Sequence, residues 1–312
     1  MAQTRGISLK AASRKRSIRD SKSDKVLYAA AYLIMGLSLL IVGYPLVYII
    51  SASFSNGNAI QSGEVFLWPV DVTLAGYEAV FKHKLIISGY LNTIFYTVLG
   101  TALNVSATLI CAYPLSRRDM QWKGFYMFLF VFTMYFGGGL IPTYLLMRDL
   151  KIINTVWVMV LPGLISTYNM IIVRTFIQNN IPREILESSQ IDGCSDFQYF
   201  LRMVLPLSKA VIAVITLYYA VGHWNAYFNA LIYLTDREKY PLQIILREIL
   251  VSNQVNFAEV QGIDPEQIAA QNSLANQLKY SLIIVSCGPI LLVYPFVQRY
   301  FVKGVMLGSI KG

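Results

Sequence analysis

The side chains that usually carry out chemistry are sparse in this sequence and lie apart from one another. The chain has two histidines, with no metal-ligand spacing, and three cysteines, Cys111, Cys194 and Cys287, with no pair placed for a disulfide. All seventeen acidic residues lie outside the long apolar runs described below, so no carboxylate pair is buried where a membrane enzyme would need one. No Gly-x-x-x-x-Gly-Lys-Ser/Thr loop for a nucleotide phosphate is present. The sequence therefore predicts neither a metal centre nor an enzyme active site.

The most informative spacing lies in residues 179–206, where local signals predict two short helices joined by a tight corner. Pro182 is suited to a first helical turn, and Asn180 is available as the N-cap. The first helix is predicted over residues 183–192. Gly193 then ends it, because the residue after a helix commonly adopts the left-handed conformation, which costs other residues about 1–2 kcal/mol.

A second helix is predicted to begin directly after this glycine. Ser195 and Gln198 have the spacing of a capping box, and Pro206 ends the helix. Four apolar residues recur at helical spacing and predict one apolar face: Phe197, Phe200, Leu201 and Val204. The spacing alone is compatible with two roles, docking in a groove of another protein or lying on a bilayer surface as an interfacial helix.

Composition identifies the elements that must position this corner. Hydrophobic residues make up 55% of the chain and charged residues only 14%, an imbalance typical of a membrane protein. A helix needs about 20 apolar residues to cross a bilayer, where it satisfies its own backbone hydrogen bonds. Six runs meet this requirement: residues 26–50, 86–115, 125–146, 153–173, 211–234 and 278–297. The predicted fold class is therefore all-α, a polytopic membrane protein with six transmembrane helices.

The distribution of basic residues predicts the orientation of these helices. Of the 26 lysines and arginines, eight precede Val26, three lie between the second and third runs, four between the fourth and fifth, and three after the sixth. Because basic residues in short loops are retained in the cytoplasm, both termini are predicted to be cytoplasmic. Much of the net charge of +9 lies beside the first run, where it suits anionic lipid head groups better than nucleic acid. That run is too long for a cleaved signal segment and is expected to remain as an anchor.

The predicted organisation has three parts. They are a basic cytoplasmic tail (1–25), a six-helix transmembrane domain (26–298) and a cytoplasmic C-terminal tail (299–312). Besides the corner, the domain has a long external loop at residues 235–277, which is rich in amide side chains and contains a predicted short helix at residues 242–250. A loop of this length favours docking of a partner over a solvated linker.

The residues around Gly193 resemble a known family. Glu187-Ser188-Ser189-Gln190-Ile191-Asp192-Gly193-Cys194, followed by Leu205-Pro206, is similar to the EAA loop of binding-protein-dependent ABC importer permeases. That loop has Glu-Ala-Ala, three residues, Gly and a later Pro, so the differences here replace small residues with small residues. Asn92-Thr93, His223-Trp224-Asn225 and residues 298–304 and 308–312 resemble the carbohydrate branch, in particular its maltose-type subunit with six spans. The resemblance covers nearly the whole chain after Leu27.

The resemblance implies that the corner is a coupling helix seated in a cleft of a separate ATPase subunit. The residues that match the family's contact are Glu187, Ser188, Ser189, Asp192, Gly193, Cys194 and Ser195. Glu187 is expected to make a charge-assisted hydrogen bond to the ATPase. ATP and Mg would be bound by that ATPase, so this chain would bind no cofactor and would be no enzyme by itself.

The resemblance also implies the partners and the location. The expected partners are a second permease subunit that completes a heterodimer, an ATPase dimer, an extracytoplasmic solute-binding protein and membrane lipid, with no nucleic acid. The expected location is the bacterial cytoplasmic (inner) membrane, and the expected solute is a sugar or oligosaccharide. The alternatives are an importer permease for a non-sugar solute and, in another class, a secondary transporter driven by an ion gradient.

Polar residues within the apolar runs are candidates for the sugar pathway, because polar groups at membrane depth must face protein or a cavity. The candidates are Tyr168, Asn169, Asn225, Tyr227 and Asn229. The alternative is that the same groups form hydrogen bonds between helices. His223 is either a proton relay or a packed, hydrogen-bonded residue, and Gly137–Gly139 form either a hinge or a close-packing site.

Overall fold

The computed structural model describes residues 21–252 and 265–309, with the side chains of residues 269–292 and 295 in the second range. Three predictions fall outside the described residues. They concern most of the basic tail before residue 21, the amide-rich centre of the external loop at residues 253–264, and the side chains of the C-terminal tail at 299–312.

Every regular element in the described ranges is helical, which confirms the all-α class for this part of the chain. The helices are α1 (Lys22–Ser53), α2 (Gly57–Gln61), α3 (Ala75–Lys82), α4 (Ile86–Ser116), α5 (Lys123–Tyr135), α6 (Leu140–Asp149), α7 (Trp157–Val160), α8 (Thr167–Asn180), α9 (Arg183–Ile191), α10 (Asp196–Tyr199), α11 (Leu205–Leu207), α12 (Lys209–Trp224), α13 (Phe228–Tyr233), α14 (Leu242–Ser252) and α15 (Pro265–Ser309). A π-helical turn, Phe200–Val204, joins α10 to α11, and a 3₁₀ turn, Arg237–Lys239, precedes α14.

The chain divides into two compact units, residues 1–48 and 49–312. In the described part of the first unit, Ser21 begins α1 with a reciprocal cap. Its backbone N–H donates to Asp24 Oδ2 (2.9 Å), and its Oγ accepts from the Asp24 backbone N–H (3.4 Å). The apolar side chains that follow are exposed along this unit, as expected for a helix solvated by lipid.

Two helices of the described residues, α1 and α4, are long and apolar enough to cross a membrane unaided. Two bent pairs raise the number to four if each pair counts as one span: α5 with α6 at 113°, and the segment Asp196–Leu207 with α12 at 81°. The predictions of unbroken helices over 125–146, 153–173 and 211–234 are therefore wrong.

The breaks occur at residues that disfavour a continuous helix. Between α5 and α6, Gly139 has a φ of +85°, and an added Cβ at Gly137 or Gly139 would meet none of the described residues within 4 Å. This glycine run is therefore a break and not a close-packing site within the chain. Between α7 and α8, Pro162 and Gly163, with φ of +77°, interrupt the predicted fourth span.

The buried residues of the second unit form two clusters, and α4 and α12 contribute to both. The first cluster contains Ile86 and Tyr96 of α4, Trp224 of α12, and most of the buried face of α14. The second cluster contains Leu109, Ala112 and Leu115 of α4 and Val211, Ile215 and Tyr219 of α12, together with α8 and the π turn. The predicted short helix at 242–250 is confirmed as α14. The corner lies at the second cluster, at the C-terminal end of α4.

Candidate functional site

The corner between α9 and α10 is formed by backbone and capping hydrogen bonds that are all local. Asp192 is the C-cap of α9, and Gly193 follows it with a φ of +74°. The Gly193 N–H donates to the Gln190 carbonyl (3.1 Å) and the Cys194 N–H to the Ser189 carbonyl (2.9 Å), which together form a Schellman motif. The prediction that Gly193 ends the helix in the left-handed conformation is confirmed.

The second helix begins with the predicted capping box. Ser195 Oγ accepts from the Gln198 N–H, and Gln198 Oε1 accepts from the Ser195 N–H, both at 3.3 Å. Only Gly193 and Cys194 separate the C-cap of α9, Asp192, from the N-cap of α10, Ser195, so the chain direction changes within four residues. The turn itself is therefore formed by hydrogen bonds between residues close in sequence.

Two local predictions at the corner are wrong. Pro182 itself is the N-cap of α9, while the Asn180 side chain donates back to the Phe176 carbonyl at the end of α8 (3.0 Å). The predicted single apolar face also fails, because Phe200 and Val204 are buried while Phe197 and Leu201 are exposed. The π turn that begins at Phe200 adds a residue to the helical repeat, so residues spaced for an α-helix no longer share a face.

The residues predicted to contact an ATPase do not all lie on one face of the corner. Ser188, Asp192, Gly193 and Ser195 are exposed, as is Glu187, whose carboxylate pairs with Arg183 one turn earlier (2.8 Å). Ser189 is buried and its Oγ donates to the Leu186 carbonyl (2.8 Å), and Cys194 is half-buried. The exposed face therefore presents Ser188 and Asp192, while Ser189 packs the helix against the rest of the protein.

Two large apolar residues flank the corner and are exposed to solvent. Ile191 is 86% exposed at the end of α9, and Phe197 is 69% exposed at the start of α10. Neither was among the residues predicted to contact an ATPase, although Phe197 belonged to the apolar face predicted for the second helix. Together they give this side of the corner an exposed apolar surface. The signal in the sequence is an apolar residue on each side of a helix-ending glycine.

Arg117 joins the corner to α4. Its side chain is only 12% exposed, and its guanidinium donates to Asp119 (2.8 and 2.5 Å), to the Tyr113 hydroxyl (3.3 Å) and to Asp196 Oδ1 (2.9 Å). The two bonds from Arg117 hold the pKa of Asp119 below its ordinary value, so this carboxylate is charged at neutral pH. Asp196 is the first residue of α10, so the pair ties the second helix of the corner to the end of α4.

The carbonyls at the C-terminal end of α4 are bonded by side chains from neighbouring segments. The Leu115 carbonyl accepts from Arg174, the Ser116 carbonyl from Gln178 and the Arg117 carbonyl from Lys123, each at 3.0 Å. Helix ends leave such carbonyls without partners, and cations there are favoured by the helix dipole. The end of α4, the start of α5, α8 and the corner are thus bonded to one another.

A groove of about 870 Å³ lies between these elements. Arg117 and Asp119 line it from the loop after α4, Gln178 from α8, and Arg183 and Glu187 from α9. The lining is mainly polar and charged and carries no cluster of histidine, cysteine, aspartate or glutamate suited to a metal ion among the described residues.

The predicted sugar-pathway residues lie at two of the breaks in the spans. Tyr168 and Asn169 are in the first turn of α8; Tyr168 is exposed and Asn169 is buried. Asn225, Tyr227 and Asn229 lie at the break between α12 and α13, where the Asn225 amide donates to the Val221 carbonyl (3.0 Å). Of the five, Tyr168, Asn225 and Tyr227 are exposed, Asn229 is half-buried and Asn169 is buried.

Other polar residues within the spans, which were not predicted, bond the irregular backbone between α7 and α8. The Asn104 amide donates to the carbonyls of Gly163 (3.1 Å) and Leu164 (2.9 Å), and its Oδ1 contacts His223 Nε2 (2.9 Å). The Tyr219 hydroxyl accepts from the Ser166 N–H (2.9 Å) and contacts Thr108 Oγ1 (2.7 Å). His223 is thus hydrogen-bonded to a structural amide, as the packing alternative predicted.

These features define a class of protein: a chain rich in apolar helices, all-helical over its described residues, with a capped helical corner and no nucleotide-binding loop in its sequence. The chain belongs to the family of binding-protein-dependent transport system inner membrane components, whose sequence pattern matches residues 7–307.

Proteins of known annotation resemble the chain over most of its length. It is 40% identical over 273 residues to the polygalacturonan/rhamnogalacturonan transport system permease protein YtcP of Bacillus subtilis, covering 88% of this chain and 94% of that protein. It is 37% identical over 300 residues to protein LplC of the same organism, covering 95% and 98%.

A solved structure has the same fold. It is the crystal structure of a bacterial ABC transporter involved in the import of the acidic polysaccharide alginate, with a TM-score of 0.77 and 33% identity, covering 90% of this chain and 99% of the matched chain. The predicted family is thereby confirmed. The chain is an ABC importer permease subunit and an inner membrane component, which is not itself an enzyme and works with a separate ATPase and a solute-binding protein.

Proposed function

We propose that this chain forms half of the membrane passage through which an ABC importer moves a sugar or oligosaccharide inward. The relatives named above for polygalacturonan, rhamnogalacturonan and alginate support a saccharide as the solute. A second permease subunit would complete a heterodimer, an ATPase dimer would bind ATP and Mg, and an extracytoplasmic protein would deliver the solute. This chain would bind neither cofactor nor nucleic acid.

The arrangement in the membrane that we propose has six spans with both termini in the cytoplasm of a bacterial cell. The six crossing segments would be α1, α4, the bent pair of α5 and α6, the broken fourth run, α12 with α13, and α15. The eighteen basic residues at the termini and in the second and fourth loops support this orientation. It places the corner in the cytoplasm, where an ATPase can reach it.

The observation that carries the proposal is the pair of exposed apolar residues, Ile191 and Phe197, on a corner that Arg117 ties to α4. Burial of these two side chains in an ATPase cleft would provide the contact surface, with Glu187, Ser188, Asp192, Gly193, Cys194 and Ser195 around them. Ser189 would support the contact from within. Closure of the ATPase dimer on ATP would then move a rigid element, and ATP must favour one state of the permease over the other for transport to follow.

The test is co-purification and transport with the assembled complex. Ile191→Asp and Phe197→Asp each place a charge where an apolar contact is proposed, so they should release the ATPase while the chain still inserts. Trp68→Asp is the matched control, since Trp68 is 82% exposed and lies in the loop between α2 and α3, far along the chain from the corner. Retention of the ATPase by both corner variants would contradict the coupling role. Failure of the wild-type complex to take up any oligosaccharide would contradict the proposed solute.

A further inference from the structure

A second groove lies at the end of α4 opposite to the corner. There α14 packs on α4: the buried Leu242 N–H donates to Thr93 Oγ1 (2.7 Å), and Gly89 approaches Ile245 so closely that an added Cβ would lie 2.5 Å from its Cδ1. Gly89 and Arg117 are about 28 residues apart in one helix, or about 42 Å. In the proposed orientation this second groove, of about 570 Å³, opens on the external side.

Charged and aromatic side chains line this groove. His83, Arg237, Tyr240, Arg247 and Glu248 contribute to its surface. The Arg237 guanidinium and the Glu248 carboxylate are 3.8 Å apart and compensate one another. Arg247 is exposed and lies over the ring of Tyr227, 5.7 Å from its centroid, and within the described part of the chain it forms no ion pair with a carboxylate. The groove therefore carries one positive charge that no carboxylate of the described residues compensates.

The wall that carries these residues is held in place by hydrogen bonds from α4. The Asn92 amide donates to the carbonyls of Glu238 (2.6 Å) and Tyr240 (3.1 Å), and the Tyr96 hydroxyl donates to the Lys239 carbonyl (2.9 Å). The backbone that leads into α14 is thus fixed before any ligand arrives. Preorganisation of this kind lowers the entropy lost when a ligand binds.

We propose that this groove binds the carboxylate of an acidic sugar unit, with Arg247 as its anchor and the Tyr227 ring as the support of the guanidinium. The inference rests on the proposed import of an oligosaccharide and specifies its chemical class. Arg247 is exposed, and a guanidinium can bind a carboxylate with two parallel N–H hydrogen bonds. The relatives named for polygalacturonan and alginate carry solutes with such carboxylates.

The experiment measures uptake of labelled trigalacturonate by the complete transporter, with its binding protein, in vesicles of phosphatidylcholine. Replacing Arg247 by Gln removes the charge and the paired donors, so KM should rise by about tenfold or more. Arg247→Lys keeps the charge but not the planar pair of N–H donors, so its KM should lie between those of the wild type and Arg247→Gln. Arg148→Gln is the matched control, because Arg148 is a similarly exposed arginine at the end of α6 whose partner is its neighbour Asp149.

Each outcome bears on one proposal. Equal KM values for Arg247→Gln and Arg148→Gln would overturn the inference, as would uptake of neutral galactotriose but not of trigalacturonate by the wild type. The second result would leave import of an oligosaccharide intact, whereas no uptake of either sugar would contradict the proposed function itself. A dependence on Arg247 that appears only when anionic lipid is added to the vesicles would assign the site to a lipid phosphate and overturn the sugar assignment.

Discussion

Replacement of Gly193 by valine tests whether the corner must keep its observed conformation for transport. Gly193 has a φ of +74°, in the left-handed region, and an added Cβ would meet no atom within 4 Å. The added Cβ therefore introduces no clash, and the main cost of the substitution is conformational. For a residue with a Cβ that cost is about 1–2 kcal/mol, and a β-branched residue lies at the upper end.

The cost is comparable to the hydrogen bonds that hold the corner. The Gly193 N–H and Cys194 N–H bonds each contribute about 0.5–1.5 kcal/mol net, so a strain of about 1–2 kcal/mol lets much of the population leave the motif. A cost of about 1–2 kcal/mol lowers the ratio of the formed to the open motif by a factor of about 5–30. We expect substrate-stimulated ATP hydrolysis and uptake to fall by at most about that factor, while the buried clusters and membrane insertion are unaffected.

Gly63 provides a control with the same local structure. It has a φ of +75°, an open environment, and a Schellman motif in which the Gly63 N–H donates to Ile60 and the Glu64 N–H to Ala59. Gly63→Val should therefore carry the same strain without loss of coupling, and Gly193→Asn should retain function because asparagine tolerates the left-handed region. The assay is ATPase activity of the reconstituted complex with and without loaded binding protein. Normal stimulation in Gly193→Val, or equal loss in Gly63→Val, would refute the reasoning.

Three further predictions follow from single side chains. Arg117→Met should lower the free energy of unfolding, measured by denaturant titration in micelles, by about 1–3 kcal/mol. A double-mutant cycle with Asp196→Ala should give a coupling energy of at least about 0.5 kcal/mol. Strictly additive effects would show that the two side chains do not interact. Gly100→Ala should lower the free energy of unfolding by about 1–3 kcal/mol, because the new Cβ would overlap His223 Nε2. Adding His223→Ala to that variant should restore part of the lost stability. If it restores none, the strain arises from another contact. Gln277→Leu should lower the free energy of unfolding by at least about 1–3 kcal/mol, because the buried amide accepts from one backbone N–H and donates to two carbonyls. A decrease below about 0.5 kcal/mol, measured by thermal unfolding, would contradict this.

The corner was predictable because its bonds join residues within six positions of one another. Gly193, Ser195 and Gln198 carry the signals for a helix end and a capping box, and the structure forms both. The π turn at Phe200 was not predictable in this way. Its bulge depends on packing of Phe200 and Val204 against α4 and α8, which no local spacing records.

The breaks in the spans escaped prediction for a related reason. An apolar stretch with irregular backbone has the same hydropathy as an apolar helix, so the hydropathy of residues 153–173 predicts one transmembrane helix. The break after Pro162 is possible at membrane depth because Asn104, about 60 residues away, bonds the carbonyls of Gly163 and Leu164. A single sequence shows the proline and the asparagine but not that they meet.

The same contacts change how polar residues within the spans should be interpreted. Asn92, Asn104 and Tyr219 all bond the backbone of non-helical segments, so polarity at membrane depth here indicates a broken helix more often than a solute path. Tyr227 differs, because its ring is accessible and lies beneath Arg247. A residue that already bonds irregular backbone should affect stability when replaced, whereas Tyr227→Ala should raise the KM for an acidic sugar and leave the free energy of unfolding nearly unchanged. A loss of stability without a change in KM would show that Tyr227, like Asn104, supports the fold and does not contribute to sugar binding.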